Sequence, residues 1–505
     1  MFESLFHALP VALQPDSLLS LVVGTLAGIL IGALPGLNPV MAIALMLPLT
    51  YGFDPIIALG LVAGIYNGSM YGGAIPAILL KIPGTPAAIA TTFDGYPMTR
   101  NGQGGLALKT ACWSSAVGGV VSALALMTLA PLLAKVTLAF GPAEYFWVAV
   151  FGLTSIAVLV GKDLSKGILS ALLGVIVGLV GIDTLSGEER YTFGSLYLVG
   201  GFDLIIVLIG LYAIPPILEM AEKRNESYFN ADSFRVSAVA GGLGLLRNYW
   251  RTWSRSSLIG VCVGILPGAG GNLAALLSYN EAKRRAPDPD SFGKGNPVGI
   301  AAAESGNSAD NASAMIPSLT LGIPGNLVAA LVLGALMIHG LQPGPQLFTK
   351  SPDVVFGFMW QMLLTAMLLF VLGGMVATRL FAQVLRLPTA LLVPTTLVLM
   401  AIGVYTVNGN VVDLYVMLAF GLVGYLLDRL EFPLAPVVLG VLLGPMAEQN
   451  FRLAMLISQN DASVLFTRPI SQGIIALLLI VLLSQLWKYH RRNARSSAAP
   501  PSGSA

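Results

Sequence analysis

Gly28-Ile-Leu-Ile-Gly32-Ala-Leu-Pro35-Gly36 returns 232 positions later (Pro35 to Pro267) as Gly260-Val-Cys-Val-Gly264-Ile-Leu-Pro267-Gly268. Ile75-Pro76-Ala-Ile-Leu-Leu80-Lys-Ile82-Pro83-Gly84 returns after 241 positions (Pro83 to Pro324) as Ile316-Pro317-Ser-Leu-Thr-Leu321-Gly-Ile323-Pro324-Gly325. The two offsets differ by nine, so the second copy carries a short insertion between its motifs. Each motif sets Pro-Gly inside an apolar segment. Proline removes a backbone donor and glycine lets the chain turn, so a membrane helix can stop there and restart a few residues on. Paired breaks in corresponding apolar segments point to a transporter of pseudo-symmetric repeats, with its solute site at the breaks.

Composition agrees. Of 505 residues 55% are hydrophobic and 10% charged, against roughly 25% charged in soluble proteins. Mean hydropathy is +0.80. An ordinary soluble domain is excluded. Apolar stretches, several interrupted by Gly or Pro, recur from 18–50 to 471–488, and many approach the ~20 residues that cross a ~30 Å hydrocarbon core. They show no dyad alternation, so they read as helices rather than barrel strands. The expected fold is an all-α polytopic integral membrane protein with about 10–12 transmembrane helices. Two pseudo-symmetric, inverted repeats with broken helices or re-entrant hairpins would make it up. The expected organisation is a first repeat over 1–218, a cytoplasmic amphipathic connector over 219–256, a second repeat over 257–488 and a disordered basic tail over 489–505.

Charge placement suggests the sides. No Lys or Arg precedes Lys81, so the amino terminus lacks the basic region of a cleavable signal peptide and is expected outside. Lys223, Arg224, Arg235, Arg247, Arg251 and Arg255 put the connector in the cytoplasm. Segment 257–280 has basic flanks on both sides and reads as a re-entrant hairpin returning to the cytoplasm, with one broken span as the alternative. The stretch Arg247-Asn-Tyr-Trp-Arg251-Thr-Trp253 reads either as a surface helix or as a loop with interfacial tryptophans. A net charge of +2 does not suggest nucleic acid. Cys112 and Cys262 lack metal-like spacing and read as buried small hydrophobes. No Gly-x-x-x-x-Gly-Lys-Ser/Thr loop for ATP is present.

The breaks at Pro83-Gly84-Thr85-Pro86 and Pro324-Gly325-Asn326 are the candidate substrate site. A restarted helix points unpaired N–H groups and the positive end of its dipole at the break, which favours a carboxylate. Thr85 and Asn326 stand at corresponding positions, and Ser69 and Lys81 are polar neighbours in the first copy. Free carbonyls near Gly36 and Gly268, with Asn38 and Asn272 beside them, are hard oxygen ligands for a coupling cation. Proton coupling would instead use an intramembrane carboxyl, and Glu304 and Asp310 lie in a polar run with Asn307. The alternative is that this run is a loop. Asp94-Gly95-Tyr-Pro97 and His339-Gly340 read as turns.

Taken together, these motifs resemble the large permease subunit of the tripartite tricarboxylate transporters, the TctA family. The residues carrying the resemblance are Gly32 to Gly36, Tyr71 to Pro86, Asp94 to Met98, Gly264 to Gly270, Ala303-Glu304-Ser305, and Leu321 to Gly325 through His339 to Pro345. The resemblance implies a bacterial inner-membrane secondary transporter, not an enzyme. Its partners would be a small membrane subunit and a periplasmic solute-binding protein. It implies import of tricarboxylates such as citrate, or other small carboxylates, driven by Na+ or H+, with no further cofactor. Many relatives carry an uncharged residue such as Asn at the position of Lys81. Two other classes fit parts of the chain: an anion channel, and an intramembrane serine hydrolase using Ser308 with His339 as base.

Overall fold

In the computed structural model the apolar stretches are helices. The structure describes residues 2–34, 37–160, 164–183, 185–222, 243–375, 389–480 and 482–483. The helices are numbered along the chain, leaving out the shortest. They begin with α1 (Pro15–Ala33), α2 (Pro39–Met46), α3 (Pro55–Gly72), α4 (Ala74–Leu80), α5 (Ile89–Arg100) and α6 (Gly104–Thr137). Next come α7 (Pro142–Val160), α8 (Leu164–Gly178), the strands β1 (Gly181–Ile182) and β2 (Glu189–Arg190), and α9 (Leu204–Glu222). Then follow α10 (Leu243–Ile265), α11 (Gly270–Arg285), α12 (Pro297–Ser313), α13 (Met315–Leu321), α14 (Leu327–Ile338) and α15 (Pro352–Met375), which carry the second copy of the sequence motifs. The chain continues with α16 (Thr389–Asn408), α17 (Val412–Arg429), α18 (Leu434–Ile457) and α19 (Pro469–Ile480). Among the described residues, five helices are long and apolar enough to cross a membrane, starting at Pro15, Pro55, Gly104, Pro352 and Leu434. Five shorter apolar helices accompany them. This is an all-α, multi-pass membrane protein.

Two compact units divide the chain, residues 1–138 with 202–434, and residues 139–201 with 435–505. In the first, close backbone contact organises the packing. Lipid supplies no hydrophobic drive between helices, so small residues that let backbones touch do the joining. Gly24, Gly28 and Gly32 of α1 lie against the main chain of Leu61, Ile65 and Ser69 on α3, and Gly64, Gly68 and Gly72 of α3 against that of Gly24, Thr25 and Ile29. A methyl on Gly28 would come within 2.5–2.9 Å of main-chain atoms of Ile65 and Ser69. In the second copy Gly260 and Gly264 of α10 lie in the same way against Gly306 and Asp310 of α12.

Starts and reversals are written locally. Pro39, Pro55 and Pro297 open their helices, and the side chains of Asn38, Asp54 and Asn296 accept from the N–H groups of Met41, Ile56 and Val298. Segment 257–280 is a hairpin: the Ser278 hydroxyl on α11 donates to the Ser256 carbonyl on α10 at 3.4 Å, on either side of the turn at Pro267. The amphipathic stretch around Arg247 forms the first turns of α10 rather than a separate element. Its buried face carries Tyr249 and Trp253, and the Trp253 indole donates to Ser114 Oγ at 2.8 Å. Residues 223–242 of the connector and the tail 489–505 lie outside the described residues. Cys112 is buried as expected, whereas Cys262 is exposed on the outer face of α10. The expected turn at Asp94 is corrected: α5 runs helically through it, with Pro97 inside. Pro97 lacks only one N–H, and the helix ends within a turn of it.

In the second unit, α8 and α18 pack through Gly174, Gly178, Gly440 and Gly444. Glu144, fully buried, accepts from Gly141 N–H at 2.8 Å and from Arg468 at 2.9 Å. Beyond the end of α8, Asp183 accepts from the Ser186 hydroxyl and from Arg452, and Arg190 pairs with Glu448.

Gly28→Leu should destabilise the protein by roughly 1–3 kcal/mol through overpacking, read as a lower melting temperature in detergent. Gly52→Ala, whose methyl meets nothing within 4 Å, should stay within about 0.5 kcal/mol. The Ser186 hydroxyl, then the Arg452 guanidinium, hold the Asp183 carboxyl well below the usual carboxylate range. Its stabilisation is therefore complete above the unfolded value of about 4 and is lost only as pH falls toward the depressed folded value. Asp183→Asn should lower the melting temperature at pH 7, and that deficit should shrink as the pH is taken below about 3; a deficit independent of pH would contradict this.

Candidate functional site

The two sequence breaks have one local build. Helix α4 ends at Leu80 on Lys81, with φ +61°, and α13 ends at Leu321 on Gly322, with φ +72°. This left-handed conformation suits glycine or asparagine better than lysine. Four residues on, Thr85 and Asn326 cap the restarting helices: Thr85 Oγ1 accepts from Ala88 N–H at 3.3 Å and Asn326 Oδ1 from Ala329 N–H at 2.9 Å. The glycine between is held by backbone. A methyl on Gly84 would meet the Gly32 carbonyl at 2.5 Å and Gly73 Cα at 2.8 Å; on Gly325 it would meet the Gly264 carbonyl at 2.6 Å and Ala314 at 2.8 Å. Pro83 and Pro324 sit directly before these glycines. The motifs of the second copy meet each other, since Gly268 N–H donates to the Gly325 carbonyl at 2.8 Å.

The copies also meet across the site. The turn Pro86–Ala88 packs on α11 and α12, while α14 packs on α2 and α3. Between these contacts runs α12, buried from Gly299 to Ser313 although it carries Glu304, Asn307, Ser308, Asp310 and Asn311. The polar run is thus a helix and not a loop. Its two carboxylates differ. Both Glu304 oxygens are engaged, accepting from the hydroxyls of Thr91 and, at 2.8 Å, Ser115. Asp310 Oδ2 accepts from Asn326 Nδ2 at 2.6 Å, but Oδ1 meets the distance and angle of a hydrogen bond with no partner among the described residues, the Gly271 N–H being the main-chain donor nearby. Neither polar atom of the Asn307 side chain has a partner, nor does Asn311 Oδ1. Buried polar atoms are nearly always hydrogen-bonded, and the exceptions mark places where something else binds. Gly271 lies directly against Asn307 and Gly264 beside Asp310, so both orphans line the second-copy hairpin break.

The structure therefore gathers Gly268, Asn307, Asp310, Gly325 and Asn326. Other expected residues lie apart from this group. Asn272 is exposed, and Asn38 is occupied as the cap of α2. Lys81 is exposed with its ammonium 5.9 Å from the Tyr96 ring centroid. Ser69 is buried and donates to the Tyr66 carbonyl at 3.2 Å. Gly36 lies outside the described residues. Ser308 is buried on α12, and His339, at the end of α14, has no hydrogen-bond partner at Nε2 among the described residues.

Sequence reading overlooked four residues. Tyr66 accepts from Asn326 Nδ2 at 2.7 Å, and Asn67 accepts from Asn311 at 2.9 Å while donating to Thr365 at 2.8 Å. These bonds tie α3, α12 and α15 together at the site. Gly271 was hidden within a glycine run. The position of Tyr66, 241 residues before Asn307, was the available signal.

Comparison with known proteins fits this arrangement. Residues 18–439 match the Tripartite tricarboxylate transporter TctA family. An uncharacterized 52.8 kDa protein in the TAR-I ttuC' 3' region of Agrobacterium vitis is 36% identical over 475 residues, 94% of each chain. An uncharacterized protein in the TAR-II ttuC' 3' region of the same organism is 37% identical over 227 residues, 45% of this chain and 93% of its own. No solved structure matches. The chain belongs to the TctA family of tripartite tricarboxylate transporters.

Proposed function

We propose that this chain is the large permease subunit that imports citrate-like tricarboxylates, or other small carboxylates, across a bacterial inner membrane. A periplasmic solute-binding protein delivers the anion and a small membrane subunit completes the assembly. A Na+ or H+ gradient drives uptake. Family membership supports the class of transporter. The observation that carries the mechanism is the pair of capped breaks facing α12 with its unpartnered polar atoms.

Thr85 and Asn326 spend their oxygens on their own helices, so they hold each break open without competing for the solute. The remaining first-turn N–H groups, at the positive ends of two helix dipoles, receive the substrate carboxylates. Asn307, with both amide atoms free, supplies a further donor. Asp310 supplies the coupling. A carboxylate beside an incoming anion repels it strongly at low dielectric, and a cation on Oδ1 removes that repulsion. Each ligand then raises the affinity of the other by the same factor, which is the thermodynamic content of symport. Alternating access would move the broken helices against less interrupted ones such as α6 and α15.

The test is uptake of citrate and other carboxylates into vesicles holding the partner subunits, under imposed Na+ or H+ gradients. Saturable, gradient-dependent uptake is expected, and a non-saturating flux would indicate a channel instead. Gly84→Val and Gly325→Val each force a side chain into backbone and should reduce uptake to background with the protein still inserted; normal uptake by both would refute the cradle. Asp310→Asn should keep substrate exchange but lose gradient-driven accumulation, whereas accumulation at the wild-type level would remove Asp310 from the coupling.

A further inference from the structure

Asp94 is a buried carboxylate that this account does not use. Asp94, fully buried on α5, accepts at Oδ1 from the main-chain N–H groups of Gly293 (2.8 Å), Gly295 (2.9 Å) and Asn296 (2.8 Å). Its Oδ2 accepts from the Tyr279 hydroxyl of α11 at 2.8 Å. The loop is shaped around it. Gly293 and Gly295 have φ of +85° and +107°, and consecutive N–H groups held in this way form an anion nest. Asn296 continues as the cap of α12, and Gly299 lies so close to Oδ2 that no side chain would fit.

The arrangement exists once. The position corresponding to Asp94 in the second copy, 241 residues on, is Ala335. The loop lies between Pro267 and Pro324, the interval in which the second copy is nine residues longer than the first. So the first copy alone supplies the anion, and the second copy's longer interval supplies its cradle. The three elements joined are the helix restarted after the first break, an arm of the second-copy hairpin, and the helix bearing Asn307 and Asp310.

We propose that Asp94 is a positioning residue that latches α5, α11 and α12 into one body, so that the first break and the polar face of α12 move together during transport. A charged acceptor with four donors is stronger than any neutral contact between these elements. It touches neither the proposed substrate cradle nor Asp310. Its loss should therefore slow the conformational step and leave solute affinity nearly unchanged. This rests on the transport reading above, and a substrate-free measurement tests the latch separately.

Asp94→Asn keeps the size and one acceptor oxygen but removes the charge and places an N–H against Tyr279; Tyr279→Phe removes one donor only. In vesicles with the partner subunits, Asp94→Asn should lower the maximal citrate uptake rate per inserted transporter about tenfold with KM within about threefold, and Tyr279→Phe should fall between it and wild type. In the detergent-purified full chain without substrate, Asp94→Asn should speed amide hydrogen exchange in 89–100 and 286–299 together. A rate loss accounted for by loss of folded protein, a KM change as large as the rate change, or faster exchange in only one of the two segments would overturn the latch. Failure of wild type to take up any carboxylate, with the joint exchange change still seen, would sink the transport reading and leave the latch standing.

Discussion

In lipid every backbone polar group must find a partner within the protein. An interrupted helix is tolerable only where its free ends are answered, and this molecule answers them at close range. Gly84 N–H donates to the Gly73 carbonyl at 3.1 Å, Gly268 N–H to the Gly325 carbonyl at 2.8 Å, and Thr85 and Asn326 cap the restarts. The glycine contacts between α1 and α3, and between α10 and α12, bring the breaks near enough for these bonds to form. Add a side chain at either and the interruption loses its partners as well as its packing. The close approach of backbones is thus the condition for having a polar site inside the membrane at all.

How much of this the amino-acid sequence discloses depends on whether the signal is local. The helical class, the two breaks and the hairpin at Pro267 follow from apolar runs, Pro-Gly pairs and flanking charge, and the structure has them. The polar run from Glu304 to Asn311 was visible, but its burial along a whole helix was not, because burial is decided by α6, α10 and α11 packing around it. Asn38 and Asn272 both follow the Pro-Gly pair of their motif, yet they serve a cap and an exposed surface. A spacing cannot say which way a side chain faces when helices differ in length. Asp94 looked like turn chemistry, since Asp-Gly and a following proline favour turns. Its donors are about 200 residues away, and no local rule reaches them.

Matching positions in the two copies do different work, and that difference is informative. Ser69 corresponds to Asp310, Tyr66 to Asn307, Ala63 to Glu304 and Lys81 to Gly322. Glu304, Asp310 and the relaxed glycine at the helix end all belong to the second copy. The first copy received a tyrosine that supports Asn326 and a serine turned back on its own helix. Shared backbone form, with the chemistry placed on one side, gives a site with one charge-bearing wall.

Such one-sidedness has a physical use. Two equivalent carboxylate walls would repel an anion from both directions and would demand two cations at once for it to bind. In the transport reading proposed above, a single monovalent cation at Asp310 would neutralise the repulsion while the helix ends on both sides would still attract the solute. Glu304 is held differently, its two oxygens accepting from the hydroxyls of Thr91 on α5 and Ser115 on α6. It binds the first copy's helices to the second, and Asp94 does the same at the far end of α12. Two carboxyl ties thereby fix the N-terminal half of α12 to the first copy, and Asp310 stands beyond them, toward the C-terminal end of the helix. In that reading the groups that would hold the moving body together are distinct from the group that would sense the ion.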